Sequence, residues 1–380
     1  MTTDKDFESQ RLTAFAGLVL IQQLFAVLKL KHRINRCFDH LAGGQIFPPG
    51  QVLLQLVVHL LLGFRSLGEQ IFYRHDPMVQ RLLGLNELPT PATLSRQLQR
   101  VDERSLHRLH ALLRNLALER LALLVPARVT IDFDGLVQST KRRAEGTAAG
   151  YNPKKKGQRS YYPLFATIAQ TAQVLDFLHR SGNVHDSRGA RDFILDCIRH
   201  VRAQLPHATI EVRMDAAFFS DEIVQTLSEM GVEFTLTVPF ERFPRLKQKI
   251  EGRTYWYRLN QEQMGFEEYW KPKAWTRRYR FVFICQRRAV QRKGPIQLDL
   301  FEVNDAEYEY KVMVTNKTTN LRHVLQFHEG RGQQENLFGQ ISSQCHMQHV
   351  PVRNRQGNEL YLTASVLSHN LLHELQMRTE

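Results

Sequence analysis

Apolar residues recur at helical spacing from residue 14 to about residue 125, and turn signals separate the runs. These signals are Leu41-Ala-Gly-Gly44, Phe47-Pro-Pro-Gly50 and Leu88-Pro-Thr-Pro91. No strand pattern interrupts them. The first 125 residues therefore predict an all-α N-terminal domain.

From residue 128 the pattern changes to short β-rich runs, at residues 129–134, 161–170, 174–179, 209–214 and 232–238. Helical stretches at 188–204 and 220–230 separate the later runs. Three strands, a helix, a strand, a helix and a strand predict an α/β domain with a mixed sheet and flanking helices. We assign residues 126–238 to this core.

Residues 239–307 break the pattern. They contain every tryptophan of the chain (Trp256, Trp270 and Trp275), and residues 253–293 hold 11 Lys and Arg against 3 Asp and Glu. This composition predicts an inserted β-rich subdomain with a cationic face. Residues 308–380 resume the core with a strand at 308–315 and helices at about 320–344 and 359–377.

Charge narrows the choice of partners. The 380 residues hold 51 Lys and Arg against 38 Asp and Glu, a net charge of +13 that favours nucleic acid. The apolar stretch at 14–30 is too short for a membrane span and carries Gln22-Gln23, so we interpret it as a buried helix. Four scattered cysteines and a start without a signal peptide predict a cytoplasmic protein.

Three acidic residues suggest a metal site. Asp134 ends the first strand, Asp215 follows the fourth, and Glu335 lies on a late helix. Carboxylates from adjacent strand ends and a helix suit hard divalent cations. Simpler interpretations remain open: Asp215 as a helix N-cap, and Glu335 in a surface ion pair with Arg331 four residues earlier.

Two basic elements predict DNA contacts. The first is a glycine-rich loop between the first two strands, whose basic residues are Lys141, Arg142, Arg143, Lys154, Lys155, Lys156 and Arg159. The second is a helix capped by Thr90 with Pro91 at its first position, which displays Arg96 and Arg100. Solvated surface is the alternative interpretation of both elements.

These motifs together resemble bacterial insertion-sequence transposases of the DDE, cut-and-paste type. The residues that carry the resemblance are Ile131-Asp-Phe-Asp-Gly135, Gly150-Tyr-Asn-Pro-Lys, Tyr161-Tyr-Pro-Leu164, Arg213-Met-Asp-Ala-Ala-Phe-Phe219 and Phe327-His-Glu-Gly-Arg-Gly-Gln-Gln-Glu-Asn336. The resemblance implies an RNase H-like catalytic domain. It also implies Asp134, Asp215 and Glu335 as catalytic metal ligands and Arg331 as a contact to DNA phosphate.

The sequence departs from the family pattern at several positions. His328 replaces the usual signature tyrosine, Gly339 and Ser342 stand where lysine is common, and Leu136 replaces a threonine. Asp132 and Glu329 are the reserve candidates for the roles of Asp134 and Glu335.

The resemblance implies Mg²⁺, with Mn²⁺ as a substitute, and two-metal cleavage and joining of DNA at insertion-sequence ends. The expected partners are double-stranded DNA, namely the terminal inverted repeats and the target, and a second copy of the chain on DNA. The resemblance also implies that the protein acts at the nucleoid. Tryptophans of the insertion are expected to stack on a displaced base. The alternative function is an inactive relative that binds element ends without cutting.

Two further classes of site are weaker. An acid/base hydrolase with paired carboxylates explains neither the cationic insertion nor the basic glycine-rich loop. Zinc sites at His369 and His373, or at Cys345, His346 and His349, lack a complete ligand set.

Overall fold

A computed structural model describes residues 12–41, 47–150, 152, 155–184, 189–287 and 308–379. Within these ranges six α-helices precede the first long strand: α1 (Leu18–Val27), α2 (Leu30–Arg36), α3 (Pro49–Leu61), α4 (Pro77–Leu83), α5 (Pro91–Leu98) and α6 (Glu103–Leu123). The predicted cap of α5 is confirmed, because the Thr90 side chain accepts a hydrogen bond from the Thr93 amide and Pro91 is the first helical residue.

The prediction of one buried helix at 14–30 is wrong in two respects. Helix α1 ends at Val27, and Lys29 adopts a left-handed conformation (φ 50°) before α2 begins. One face of α1, with Leu24 and Phe25, is buried, whereas Leu20 on the other face is 51% exposed. In the part of the chain that the structure describes, no helix is long and apolar enough to cross a membrane.

The predicted mixed sheet is confirmed. Its first five strands are β1 (Arg128–Gly135), β5 (Leu164–Ile168), β6 (Gln173–Leu178), β7 (Thr209–Met214) and β8 (Glu233–Thr237). Strand β1 pairs antiparallel with β5 and parallel with β7, and β8 continues the parallel side. The short strands β2 (Gln138–Ser139), β3 (Ala148–Ala149) and β4 (Arg159–Tyr161) form a separate small sheet from the basic loop.

The strands of the insertion extend this same sheet. They are β9 (Tyr257–Arg258), β10 (Gln263–Trp270) and β11 (Tyr279–Arg287), and β12 (Tyr308–Thr315) joins them to β8. The full strand order is β6-β5-β1-β7-β8-β12-β11-β10-β9. The β-rich insertion therefore shares backbone hydrogen bonds with the core.

Helices cover both faces of the sheet, and the two larger hydrophobic cores of the described residues lie on opposite faces. The remaining helices are α7 (Ala190–Gln204), α8 (Asp221–Glu229), α9 (Pro244–Glu251), α10 (Leu321–Glu329), α11 (Gly332–Gln344) and α12 (Arg355–Thr379). One core joins the N-terminal helices, α11 and α12 to Phe165 and Phe177 of the sheet. The other packs α7, α8 and α9 against the opposite face, including Ile131 and Val212. The N-terminal helices thus share a core with the sheet.

Candidate active site

Asp134 and Asp215 occupy equivalent positions at the ends of two parallel strands. Phe133 of β1 is the register partner of Met214 of β7, and each aspartate is the next residue of its chain. Neighbouring strands lie about 4.8 Å apart, so the two aspartates lie side by side at one edge of the sheet. Asp215 also accepts a hydrogen bond from the Ala217 amide at 3.0 Å. Its predicted capping role and its position in the cluster therefore coexist.

The electrostatic environment of Asp134 favours a cation. Its side chain is only 17% exposed. Burial raises the pKa of Asp134 to about 7, the negative charges of Asp215 and Glu335 add to this increase, and Arg331 opposes it. A buried carboxyl beside other carboxylates is costly to ionise unless positive charge stands nearby.

Arg331 supplies positive charge at this point. Its Nη1 donates to Asp134 Oδ2 at 3.2 Å, and its Nη2 lies 3.7 Å from Glu335 Oε1. Arg331 stands between α10 and α11, and Glu335 lies in the first turn of α11 with its side chain 69% exposed. The sequence predicted the Arg331–Glu335 pair; it did not predict the hydrogen bond to Asp134.

The reserve candidate Asp132 has a different role. It forms a buried two-point ion pair with Arg213, with Nε to Oδ1 at 2.6 Å and Nη2 to Oδ2 at 2.7 Å. Arg213 also donates from Nη1 to the Phe327 carbonyl at 3.0 Å. A Cβ on Gly330 would lie 2.1 Å from that Nη1, so only glycine leaves room for the guanidinium. This pair holds the end of α10 against the sheet.

The other two predicted residues of this region, Glu329 and His328, also have partners. Glu329 Oε1 accepts from Gln263 Nε2 at 2.8 Å, which ties the start of β10 to the end of α10. His328 is buried, and its ring nitrogens contact the hydroxyls of Thr235 and Thr237 at 2.9 Å each. The residue at the usual tyrosine position therefore faces the sheet and not the surface.

The two aspartates have the donor atoms that Mg²⁺ or Mn²⁺ prefers, namely carboxylate oxygens with excess negative charge. Within the described ranges, no three His, Cys, Asp or Glu side chains form a metal-binding group. The Glu335 carboxylate is directed to Arg331. The aspartate pair therefore fits a cation, whereas Glu335 must turn away from Arg331 to join it.

The predicted DNA-contacting residues differ in their surroundings. Lys154 lies outside the described residues, and Lys155 and Lys156 are exposed. Arg159 donates from Nε to the Thr147 hydroxyl at 3.1 Å and from Nη2 to the Thr147 carbonyl, so it braces the small sheet. Arg96 and Arg100 are exposed on α5 and just after it.

The tryptophans pack within the protein. Trp275 is 8% exposed and stacks on Phe219 with ring centroids 4.8 Å apart. Trp256 and Trp270 are partly buried against the second core. Among the described residues of the insertion, the most exposed aromatic rings are tyrosines, at 62% for Tyr255, 54% for Tyr257 and 66% for Tyr269.

Sequence reasoning missed Lys311 of β12. Desolvation lowers its pKa, and the positive charge of Arg331 contributes in the same direction. A lysine in an alternating strand is an ordinary surface residue by pattern alone, so no sequence signal identified it. The zinc interpretation of His369 is not supported, because its Nε2 hydrogen bonds to the Ala172 carbonyl at 2.9 Å.

The solved structures that match this chain include transposases. The piggyBac transposase synaptic complex with hairpin DNA matches with a TM-score of 0.50 and 11% identity, over 93% of this chain and 70% of that chain. The Mos1 transposase paired-end complex with left transposon end gives a TM-score of 0.21 and 10% identity, over 52% of this chain and 60% of that chain. Among curated proteins none matches the sequence.

A protein-family model described as "Transposase DDE domain group 1" matches residues 3–379. This match covers nearly the whole chain, and the piggyBac structure supports the same fold. The resemblance to DDE transposases is therefore confirmed, and the chain belongs to the family of transposases with a DDE domain of group 1.

Proposed function

We propose that this protein cleaves and joins DNA at the ends of an insertion sequence by metal-dependent phosphoryl transfer. The observation that carries the proposal is the register of β1 and β7, which sets Asp134 beside Asp215 at one edge of the sheet. Family membership supports the transposase activity; the assignment of the three carboxylates is our own.

In this proposal Asp134 and Asp215 hold Mg²⁺, or Mn²⁺ in its place, and Glu335 completes the ligand set. Bound divalent ions supply an activated water and stabilise the leaving 3′ oxygen of a phosphodiester. The protein orients the carboxylates through rigid elements. Asp215 is held by the Ala217 amide, and Arg331 approaches Asp134 from the break between α10 and α11.

The DNA partner is double-stranded, with terminal inverted repeats and a target site. Exposed cations at Lys155, Lys156, Arg96 and Arg100 suit the phosphate backbone, and Arg331, which contacts Asp134, lies at the predicted cut. The sequence also predicts DNA contacts for Arg159 and for Lys154, which lies outside the described residues. Pairing of two DNA ends implies a homodimer on DNA. The proposed location of this reaction is the nucleoid, in the cytoplasm.

The test is Mg²⁺-dependent nicking of a plasmid that carries the DNA flanking this gene. Wild type should nick it, Asp215→Asn should not, and both should bind the DNA equally. Asp192→Asn is the matched control, because it removes an exposed carboxylate on α7. Tight binding by wild type with no nicking in Mg²⁺ or Mn²⁺ would instead support the inactive DNA-binding relative.

A further inference from the structure

A cavity of about 460 Å³ lies beside the candidate active site. Its walls come from the segment after β1, from the end of α11 and the loop that follows it, and from Arg65 of the N-terminal helical layer. The volume lies within the range of small-ligand sites, about 300–1,000 Å³. None of the residues predicted from the sequence to touch DNA lines this cavity except Lys155.

The cavity contains an arginine that is held in place with its terminal nitrogens unused. Arg65 donates from Nε to His349 Nδ1 at 3.3 Å, and the buried Tyr361 hydroxyl donates to the Arg65 carbonyl at 3.1 Å. Burial and the neighbouring Arg65 lower the pKa of His349 to about 4, so the ring is neutral and accepts this hydrogen bond. Among the described residues, neither Nη atom of Arg65 has a hydrogen-bond partner.

The loop beside Arg65 has a backbone conformation that residues other than glycine rarely adopt. His346 has a φ of 53°, and its Nε2 hydrogen bonds to the Gly63 carbonyl at 2.8 Å. Left-handed conformations of non-glycine residues are strained and often occur at ligand sites. The loop that carries His346 and His349 is thus held in a strained shape beside Arg65.

The remaining walls offer both apolar and polar surface. Leu136 and Val137 form an apolar side. Ser342 and Gln348 form a polar side and hydrogen bond to each other at 3.2 Å. A nucleotide requires cations for its phosphate, an apolar surface for its ring, and amide and hydroxyl groups for the edge of its base.

The position of the cavity relates it to the proposed metal ligands. Leu136 follows Asp134 by two residues. Ser342 lies seven residues after Glu335 on α11, two turns along the same face and about 10 Å away at 1.5 Å per residue. DNA rises about 3.4 Å per nucleotide along each strand, so this distance spans roughly three nucleotides.

We propose that this cavity binds a single unpaired nucleotide of the DNA strand, within about three positions of the cleavage point. Its phosphate contacts Arg65 and Lys155, and its base lies between Leu136 and the Ser342–Gln348 side. His349 acts as a positioning residue that orients Arg65. The proposal rests on the proposed function, because it takes its substrate from that reaction.

The experiment measures fluorescence anisotropy of a short 5′-phosphorylated single strand and of a duplex of the same sequence, both in EDTA. Loss of charged hydrogen bonds should weaken single-strand binding by Arg65→Gln about tenfold or more. His349→Leu should match it, whereas His349→Gln, which keeps an acceptor, should retain most of the affinity. Arg199→Gln removes an equal charge from an exposed site on α7 and is the control.

Duplex affinity should fall no further in Arg65→Gln than in Arg199→Gln. Equal losses on single strand and duplex would reduce Arg65 to an ordinary phosphate contact and overturn the nucleotide site. Single-strand binding by Arg65→Gln equal to that of Arg199→Gln would overturn it too. Arg65 is exposed, so its substitution should leave thermal unfolding unchanged even if His349→Leu perturbs folding.

The two proposals fail separately. Binding in EDTA does not depend on metal or on cleavage. A plasmid nicked by wild type and not by Asp215→Asn, together with no specific effect of Arg65→Gln, would leave the transposase proposal standing alone. The reverse pattern would leave a nucleotide-binding cavity in a protein that does not cut.

Discussion

Arg331 donates a hydrogen bond from Nη1 to Asp134 Oδ2 at 3.2 Å, and its Nη2 lies 3.7 Å from Glu335 Oε1. One guanidinium thus contacts two of the three carboxylates proposed to hold metal. Its charge offsets the repulsion among them, as a bound cation would. The same arginine is the proposed phosphate contact, so DNA would draw it away from the carboxylates that a metal needs.

Removal of Arg331 should therefore strengthen metal binding in the absence of DNA. We expect Arg331→Gln to bind Mn²⁺ at least severalfold more tightly than wild type, because a unit positive charge about 4 Å from a carboxylate disfavours a second cation. Electron paramagnetic resonance of free Mn²⁺ measures this affinity directly. Arg322→Gln, on an exposed position of α10, is the charge control. Equal or weaker binding by Arg331→Gln would contradict the competition.

Asp132 and Asp134 should respond oppositely to the same substitution. Asp132→Asn breaks the buried pair with Arg213 and should lower the free energy of unfolding by about 3–5 kcal/mol. Asp134→Asn removes a buried charge that faces Asp215, so stability should stay equal or rise. Urea unfolding in EDTA measures the free energy of unfolding of both variants and distinguishes these two outcomes.

Cleavage provides the second comparison for this pair. Asp134→Asn should be folded and inactive in the nicking assay. A folded, active Asp134→Asn protein would show that Asp134 is not required for cleavage. A fully stable Asp132→Asn protein would show that the ion pair with Arg213 contributes little to the free energy of unfolding.

Two glycines near the helix break should also differ. Gly330→Ala places a Cβ 2.1 Å from Arg213 Nη1, which is anchored by Asp132, and should destabilise the protein by about 1–3 kcal/mol. Gly332 meets no atom within 4 Å, so Gly332→Ala should stabilise α11 by up to about 1 kcal/mol. Thermal unfolding of both variants tests this. Equal effects would mean that Arg213 adjusts freely.

A buried ionic cluster should make stability depend on pH. His110 contacts Asp176 Oδ1 at 2.6 Å and Glu359 Oε1 at 3.3 Å. Burial lowers the pKa of His110, but its hydrogen bonds to Asp176 and Glu359 outweigh burial and raise it to about 9. Glu359 also lies 3.5 Å from His179; burial raises the pKa of Glu359, but hydrogen bonds to His110 and His179 outweigh burial and lower it to about 2.

The signs follow from linkage. Stability from His110 is complete below its unfolded pKa of about 6.5 and is lost as pH rises through 9. Stability from Glu359 is complete above its unfolded pKa of about 4.3 and is lost as pH falls toward 2. Between pH 6.5 and 9 the free energy of unfolding, measured with urea, should fall with a slope that corresponds to about one proton. His110→Gln should remove this slope. The exposed His200→Gln is the control, and an unchanged slope in His110→Gln would refute the assignment.

Much of the fold was predictable because its signals are local. Apolar periodicity predicted the helical first third, and the β-rich runs predicted the five core strands at nearly their observed bounds. The pairing of the insertion was not predictable, because β12 joins β8 to β11 through backbone hydrogen bonds that side-chain patterns do not encode. The sequence also predicted that tryptophans of the insertion stack on a base, whereas Trp275 packs against Phe219.

By itself the sequence determined the class of protein and the excess of positive charge, and it predicted the three carboxylates, since residue type and order along the chain suffice for these. Only the tertiary structure decided which aspartate is paired with Arg213 and which lies beside Asp215. Asp132 and Asp134 share one strand and one pattern, and they differ only in contacts from distant elements, Arg213 and Arg331 respectively. The Arg65 cavity has the same origin, because its walls are far apart in the chain and meet only when the helical layer packs on the sheet.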